Sequence, residues 1–315
     1  MTVTNSIEVR GLVKRYGDVT AVDGVDLSIA PNTIYALLGP NGAGKTTTIS
    51  VLTTLTRLSA GSASVMGLDV SVQPNAVRQC IGVTFQETVL DDALNAWQTL
   101  DFHGRLYRQD RATRKRKSQE LLKMVELEEA AERRVRTYSG GMKRRLELAR
   151  GLMTDPDVLF LDEPTTGLDP QNRANIWEYI RDLKQRNGLT LLLTTHYMDE
   201  AEELADRVGI IDHGKIIVEG SPRELVSQMG ADSITLVASG DTVRLAERLK
   251  TLTVVETVTI GDQVIQIGVD SGNRRLPEII GLAQEVGCHI EDISLAKPSL
   301  SDVFLKYTGR QLRDK

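Results

Sequence analysis

Cysteine is scarce in this chain, which excludes a fold held together by disulfides or by structural zinc. Of the 315 residues, only Cys80 and Cys288 are cysteines, too few and too far apart for either arrangement. We expect both thiols to be reduced and to pack in the interior. The chain is long enough for one large or two medium domains, each with its own hydrophobic core.

A long hydrophobic run is also missing. No stretch approaches the roughly 20 consecutive apolar residues that a membrane-spanning helix needs. Residues 1–6 lack the basic and apolar segments of a signal peptide. Both absences predict a soluble, cytosolic chain.

An excess of positive charge is absent as well. The chain has 38 basic and 43 acidic residues and a formal net charge of -5, so we expect no nucleic-acid partner. Positive charge is concentrated in one run, at Arg111, Arg114, Lys115, Arg116 and Lys117. This run fits either a solvated helix face or a surface that contacts a membrane partner or lipid headgroups.

Short apolar runs alternate with helical stretches along the chain, which predicts a parallel sheet covered by helices. Three predicted strands end in polar residues: 34–38 in a glycine-rich loop, 158–161 at Asp162 and Glu163, and 189–193 at Thr195 and His196. Because ligands of open α/β sheets gather at the carboxyl ends of strands, we expect these residues to form one site.

The glycine-rich loop matches the phosphate-binding pattern G-x-x-x-x-G-K-[ST] at Gly39, Pro40, Asn41, Gly42, Ala43, Gly44, Lys45 and Thr46. Glycines let backbone N–H groups turn toward phosphates, and the start of the following helix adds partial positive charge. We predict that Lys45 reaches the β- and γ-phosphates of ATP and that Thr46 ligates Mg²⁺. The adjacent Thr47 is assigned to the same nucleotide site.

The acid pair after the second strand suits two separate tasks. A carboxylate at a strand end can hold Mg²⁺, and a neighbour that points elsewhere can activate the attacking water. We assign the metal to Asp162 and the general base to Glu163. The alternative is a solvated acidic turn before Pro164.

A second possible anion-binding helix start lies at Ser139, Gly140 and Gly141, ahead of the helical run 142–153. The structural alternative is that Ser139 simply caps the helix. If Ser139, Gly140 and Gly141 do bind an anion, the chain contains two phosphate-binding elements but one acid pair.

In this order the motifs resemble the nucleotide-binding subunit of an ATP-binding-cassette (ABC) transporter, over about residues 7–229. The resemblance implies a homodimer that sandwiches two ATP molecules, in which Ser139, Gly140 and Gly141 close on the γ-phosphate held by the other subunit. It further assigns Asp169 to the loop that crosses the interface. Two departures lie beside the second helix start, where Tyr138 and Met142 replace the family's leucine and glutamine.

The resemblance also gives roles to three isolated residues whose patterns alone are ambiguous. Tyr16 would stack on adenine, although it also fits a half-buried strand tyrosine. Gln86 would offer its amide oxygen to Mg²⁺ or to the attacking water, although a glutamine at a strand end is usually structural. His196 would contact the γ-phosphate, although a histidine after a strand is more often a structural residue.

Two later segments, 194–202 and 298–310, look like those of daunorubicin-resistance-type exporter subunits. That resemblance implies an ATPase at the cytoplasmic face of the membrane, paired with a separate transmembrane permease that exports a drug, an antibiotic or a lipid. In the family, a groove near residues 90–97 receives a short helix of the membrane chain. Leu94 and Trp97 fit either the wall of this groove or the core.

The predicted fold class is α/β, a P-loop ABC cassette with a mixed sheet, followed by a small α+β domain. The cassette is assigned to residues 1–228, with a helical subdomain at about 87–160. Residues 229–315 show the order β-α-β-β-α-β, which is typical of a ferredoxin-like domain.

Two other function classes remain as alternatives. A soluble ABC ATPase that acts as a mechanical clamp in DNA repair or translation usually has two cassettes in one chain or a coiled-coil insertion, and this chain has neither. A regulatory ATP sensor that does not hydrolyse is expected to lose Glu163 or His196, and both are present.

Overall fold

The chain divides into two compact units, Met1–Ser221 and Pro222–Lys315. The computed structural model describes residues 5–229, 232–261 and 264–308. Residues 309–315, which end the predicted C-terminal domain and include Gly309 and Arg310 of its exporter-like segment, lie outside these ranges. The sequence placed the boundary after residue 228, whereas the second unit begins before the helix Pro222–Ser227.

The first unit contains the strands β1 (Ile7–Tyr16), β2 (Val19–Ile29), β3 (Ile34–Leu38), β4 (Ala60–Val65), β5 (Leu68–Asp69), β6 (Ile81–Thr84), β7 (Val158–Asp162), β8 (Thr190–Thr195), β9 (Arg207–Asp212) and β10 (Lys215–Gly220). Its helices are α1 (Lys45–Leu52), α2 (Pro74–Cys80), α3 (Ala96–Leu106), α4 (Arg111–Met124), α5 (Gly140–Gly151), α6 (Pro170–Asn187) and α7 (Met198–Leu204). A short 3-10 turn spans Val135–Thr137.

The main sheet of this unit has the strand order β10-β9-β3-β8-β7-β6. Strands β9, β3, β8, β7 and β6 run parallel, and β10 closes the sheet as the antiparallel arm of a hairpin with β9. Strands β3, β7 and β8 are buried along their whole length, which explains their continuous apolar sequences. Their carboxyl ends lie side by side.

A second, antiparallel sheet has the order β2-β1-β4-β5. Its apolar residues alternate with exposed ones along β2, and they pack with α1 and β3 in one core cluster. The sequence analysis did not separate this sheet from the main one. It carries Tyr16 at the end of β1.

The segment from α3 to α5 forms the predicted helical region, and side-chain caps start its helices. Asn95 and Gln98 form a capping box at α3, and Asp110 caps α4. The predicted range of 87–160 overlaps the first residues of β7. The basic run lies in α4, but its last residue Lys117 is buried and pairs with Asp155.

The second unit contains α8 (Pro222–Ser227), β11 (Asp232–Ser239), α9 (Thr242–Lys250), β12 (Val255–Ile260), β13 (Val264–Val269), α10 (Gly272–Val286), β14 (His289–Ala296) and α11 (Leu300–Thr308). Its antiparallel sheet has the order β12-β13-β11-β14, and the elements from β11 to β14 follow one another along the chain as β-α-β-β-α-β. Cys288 is buried in this unit's core, and Cys80 packs against the core of the first unit at its edge. Across the described ranges, no helix is long and apolar enough to cross a membrane.

Candidate nucleotide site

The phosphate-binding loop joins β3 to α1, as the sequence predicted. Gly42 and Gly44 have left-handed backbones, with φ of 81° and 106°. A Cβ on Gly44 would lie 2.5 Å from the carbonyl oxygen of Ala21, so both backbone conformation and space require glycine there. The loop thereby presents its backbone at the start of α1.

Lys45 is buried beneath this loop, only 4% exposed. Its Nζ donates to the carbonyl oxygens of Gly39 (2.7 Å) and Pro40 (3.1 Å) and lies 3.2 Å from Oε1 of Glu163. Burial lowers the pKa of Lys45, while Glu163 and Asp162 oppose that shift. These contacts hold the ammonium group at the carboxyl ends of the strands.

Asp162 ends β7 and lies beside Thr46 of α1. The Thr46 hydroxyl donates to Oδ1 of Asp162 at 3.1 Å, and the Thr194 hydroxyl donates to the same oxygen. Burial raises the pKa of Asp162, and these two hydrogen bonds oppose the increase. A carboxylate beside a hydroxyl gives the hard oxygen ligands that Mg²⁺ prefers, so the two side chains fit the predicted metal site.

Glu163 has a left-handed backbone with φ of 47°, unusual for a residue with a side chain. Its N–H donates to the carbonyl and the hydroxyl of Thr194, at 3.1 and 3.0 Å. Its carboxylate accepts from the Thr166 hydroxyl at 3.0 Å. Burial raises the pKa of Glu163, but His196 and Lys45 outweigh it and hold the pKa at about 2.

His196 follows β8 and is half-buried at the same strand ends. Its Nδ1 lies 3.2 Å from Oε2 of Glu163, but this contact lacks hydrogen-bond geometry. The imidazole ring also packs on Tyr197, with ring centroids 4.1 Å apart. The predicted convergence of loop, acids and histidine is therefore present in the geometry.

The second helix start forms a separate group. The Ser139 hydroxyl accepts from the N–H of Met142 at 3.2 Å and caps α5. Gly140 is open, but a Cβ on Gly141 would lie 2.5 Å from Oδ1 of Asn172. Asp169 caps α6, and its Oδ1 accepts from the backbone N–H of the same Asn172 at 3.0 Å. Asn172 therefore lies next to Gly141 and is hydrogen-bonded to Asp169, two of the residues predicted to lie at the dimer interface.

Three predicted residues, Gln86, Tyr16 and Thr47, are more exposed than Lys45 and Glu163. Gln86 is exposed just beyond β6, whose Thr84 is paired with Leu161 beside the acids. Tyr16 is 49% exposed, and Nζ of Lys14 lies 4.6 Å from its ring centroid. Thr47 is half-buried in the first turn of α1. No hydrogen bond or ion pair between described residues links Gln86 or Tyr16 to Lys45 or Glu163.

The sequence analysis missed three buried charged residues near this site: Arg144, Glu147 and Glu200. Oε1 of Glu200 accepts from the Thr165 hydroxyl (2.7 Å) and the Trp177 Nε1 (3.1 Å), which joins the acid loop to α6 and α7. No local motif marks these residues. For Arg144 and Glu147, the only signal in the sequence was charge within the predicted helical run 142–153.

Comparisons with known proteins agree with this geometry. The ABC transporter family pattern matches residues 22–166. A daunorubicin resistance ATP-binding protein of Streptomyces coeruleorubidus is 43% identical over 98% of this chain and 98% of its own. A linearmycin resistance ATP-binding protein of Bacillus subtilis is 37% identical over 98% of this chain and 100% of its own.

A solved structure gives a similar result for the fold. A dimeric ATP-binding cassette in a post-hydrolysis state, bound to ADP and Pi, matches 68% of this chain and 98% of its own, at 25% identity and a TM-score of 0.62. The cassette fold predicted from the motifs is confirmed. The motif order, the nucleotide-binding geometry and full-length similarity lead to one assignment: the chain belongs to the ABC transporter family, as an ATP-binding and ATP-hydrolysing subunit.

Proposed function

We propose that this chain powers the export of a drug, an antibiotic or a lipid through a separate transmembrane permease. It would act at the cytoplasmic face of the membrane as a homodimer with two ATP molecules at the interface. The observation that carries the proposal is the convergence of Lys45 with Glu163, at 3.2 Å, and of Thr46 with Asp162, at 3.1 Å. These four side chains are of the types that phosphate binding, metal binding and proton abstraction use.

Hydrolysis would begin with a change of partner for Lys45. Without nucleotide its ammonium faces Glu163, whose pKa of about 2 makes the carboxylate a weak base. A γ-phosphate competes for Lys45, which removes one of the groups that depress the pKa of Glu163. The carboxylate is then a stronger base toward the attacking water, and His196 beside it contacts the γ-phosphate.

Mg²⁺ would be held by Thr46, Asp162 and Gln86. When bound, the ion neutralises phosphate charge in the transition state. Thr194 holds Asp162 through a hydrogen bond, so the carboxylate is oriented before the ion arrives. The exposed Gln86 is free to turn toward the site from its strand end.

The dimer would complete each site with Ser139, Gly140 and Gly141 of the partner subunit, and Asp169 would cross the interface. Support comes from the exposure of Ser139 and Gly140 at the start of α5, where a second chain can reach them. The similar solved cassette is itself described as dimeric. A helix start with a serine cap and exposed backbone N–H groups binds phosphate readily.

The permease would dock on a groove of the first unit that is lined by Leu55, Phe85, His103, Tyr107 and Arg150. Burial and the nearby Arg150 lower the pKa of His103 to about 4, so this imidazole is neutral at physiological pH. The exposed apolar side chains of Phe102 and Leu106 extend from the same helix α3. Exposed apolar surface of this kind suits a protein partner. Leu94 and Trp97 are only half-buried and do not line this groove.

The two relatives named above support the cargo class, because their names refer to resistance to daunorubicin and to linearmycin. Similarity over nearly the whole length of both relatives disfavours the soluble clamp of DNA repair or translation. Purification of the tagged chain from membranes tests this part of the proposal. A multi-span protein in equal amounts supports export, and its absence contradicts it.

The test of the ATPase site is Glu163→Gln. We expect ATP binding to persist, steady-state hydrolysis to fall about 100-fold or more, and a dimer to accumulate with ATP in size-exclusion chromatography. Glu178→Gln, a surface change on α6, is the matched control and should hydrolyse normally. Unchanged hydrolysis by Glu163→Gln would contradict the assignment of the base.

A further inference from the structure

Arg144 lies in α5, the helix that Ser139 caps, and its side chain is buried. Its N–H groups donate to the carbonyl oxygens of Pro164 (2.6 Å), Phe85 (2.5 Å), Asp162 (3.0 Å) and Glu163 (3.1 Å), and to Oε2 of Glu147 (3.2 Å). Every N–H of the guanidinium is therefore used. Four of the acceptors are main-chain groups of two loops at the nucleotide site.

The first of these loops carries the acids. The carbonyls of Asp162, Glu163 and Pro164 are consecutive, and Arg144 binds all three. The backbone of Glu163 is left-handed, so it needs support from its surroundings. Arg144 supplies that support through the main chain, while the carboxylate of Glu163 faces Lys45.

The second loop carries Gln86. Arg144 binds the carbonyl of Phe85, the residue immediately before it. Glu147, one turn further along α5 and fully buried, accepts from the N–H of Val89 at 2.8 Å through Oε1. The pair Arg144–Glu147 therefore holds this loop on both sides of Gln86.

A buried ion pair is costly unless its remaining hydrogen bonds are satisfied, and here they are. Burial lowers the pKa of Arg144 and raises that of Glu147, and each residue opposes the shift of the other. Lysine cannot replace Arg144, because an ammonium group cannot reach a planar set of acceptors.

We propose that Arg144 is a positioning residue for ATP hydrolysis within its own chain. Through main-chain hydrogen bonds it fixes the loops of Glu163 and Gln86 relative to the helix that begins at Ser139. The inference rests on the proposed function, in which Ser139 contacts the nucleotide of the partner. The contact that a chain makes with its partner's ATP is then mechanically joined to its own general base.

The first test is ATP hydrolysis by the full-length chain with Arg144→Lys. A displacement of the base by a fraction of an ångström lowers turnover and spares ground-state binding, so we expect kcat to fall at least about tenfold with KM for ATP within about twofold. Arg145→Lys is the matched control, because Arg145 binds the carbonyl of Val125 at 3.1 Å, away from both loops. It should leave both constants unchanged.

Glu147→Gln tests the same connection if Arg144→Lys folds poorly. The amide oxygen can still accept from Val89, but the ion pair is lost. We expect the same pattern, a lower kcat at unchanged KM, with a smaller decrease of about threefold. An unchanged kcat in a folded Arg144→Lys chain, or in both variants, would overturn the proposal.

Mixed dimers separate positioning from a general loss of structure. One chain carries Glu163→Gln and cannot hydrolyse, and Arg144→Lys is placed either in the hydrolysing chain or in the silent one. We expect the decrease of at least about tenfold in the first placement and a change within about twofold in the second. Equal losses in both placements, or a loss only in the second, would overturn the proposal.

These experiments also distinguish failure of the positioning role from failure of the proposed function. If Glu163→Gln forms no ATP-dependent dimer, the proposed dimer is wrong, and the kcat and KM of Arg144→Lys still decide the positioning role. If the dimer forms and Arg144→Lys leaves kcat unchanged, only the positioning role is wrong.

Discussion

The interiors of the two units differ in what they bury. The first unit buries charged side chains that include Lys45, Arg144, Asp162, Glu163 and Glu200. It also contains residues other than glycine with left-handed backbones, Glu163 among them. Over its described residues, the second unit buries no charged side chain and has no such backbone outside glycine.

Buried charge and local backbone strain both cost stability, so they persist where function requires them. The core of the second unit is built from aliphatic residues, such as Ile234, Leu236 and Ile267, with the small Cys288 at its edge. Its lack of buried charge agrees with a unit that supports the ATPase without taking part in the chemistry. This difference in buried charge predicts that mutations in the first unit lower ATP hydrolysis more than mutations in the second unit do.

The largest expected effect is that of Lys45→Ala. The change removes the cation that faces both the phosphates and Glu163, so we expect hydrolysis to fall about 1,000-fold. Lys306→Ala in the second unit is the control, because its Nζ donates to the carbonyl of the exposed Gln228 at 3.1 Å. A steady-state ATPase assay on both full-length variants makes the comparison. Similar losses of ATP hydrolysis in the two variants would contradict the prediction that the second unit takes no part in the chemistry.

The next effect concerns stability in acid. The pKa of Glu163, about 2, lies below the ordinary value of 4.5. A carboxylate with a depressed pKa stabilises the fold above its unfolded pKa and loses that contribution as pH falls through the folded value. The shift corresponds to about 3 kcal/mol at pH 7, lost between about pH 4.5 and 2.

The measurement compares unfolding free energies of the nucleotide-free wild type and Glu163→Gln at pH 7 and near pH 3. The wild type should be more stable by about 3 kcal/mol at pH 7, and more than half of that advantage should be gone near pH 3. The raised pKa of Asp162 has the opposite sign, and its main cause, burial, is present in both chains. If the difference in unfolding free energy between the two chains does not change with pH, the pairing of Glu163 with Lys45 and His196 is contradicted.

The sequence predicted the parts of this site that short motifs encode. The loop of Lys45, the acids and His196 each follow their own strand, so neighbouring parallel strands were enough to bring them together. Arg144 could not be found in this way. It stands between Lys143 and Arg145 in a basic helix start, and the carbonyl oxygens that it binds lie 18 to 59 residues away in sequence.

The folds of the two units were also predictable to different degrees. The order of strands and helices from β11 to β14 was predicted from the sequence, whereas α8 and α11, which flank this run, are not part of the predicted β-α-β-β-α-β order. The antiparallel sheet of the first unit was missed because β1 and β4 are distant in sequence yet pair in space. Pairing between distant strands leaves no local pattern.

A smaller effect separates the two glycines of the second helix start. A Cβ on Gly141 would collide with Asn172, which Asp169 holds, so Gly141→Ala should destabilise the chain by about 1–3 kcal/mol. The nearest atom to a Cβ on Gly140 lies 4.0 Å away on Leu168, so Gly140→Ala should change stability by less than about 1 kcal/mol.

Denaturant unfolding of both alanine variants provides the measurement. Asn172→Ala combined with Gly141→Ala should restore part of the loss, because the colliding amide is then absent. Equal losses of unfolding free energy in Gly140→Ala and Gly141→Ala would contradict the prediction that close packing against α6 makes Gly141 the more sensitive position.

The smallest effect on hydrolysis should come from the core of the second unit. Leu236 is fully buried in β11, and Leu236→Ala should destabilise that unit by about 2–5 kcal/mol. Leu192→Ala is its counterpart in β8, the strand that ends at Thr195 and precedes His196. Hydrogen exchange locates the destabilised unit, and an ATPase assay measures the consequence. Because no catalytic side chain lies on β11, Leu236→Ala should leave kcat within about twofold, whereas Leu192→Ala should lower it. A decrease of about tenfold in Leu236→Ala, with the first unit still protected, would show that the second unit takes part in turnover.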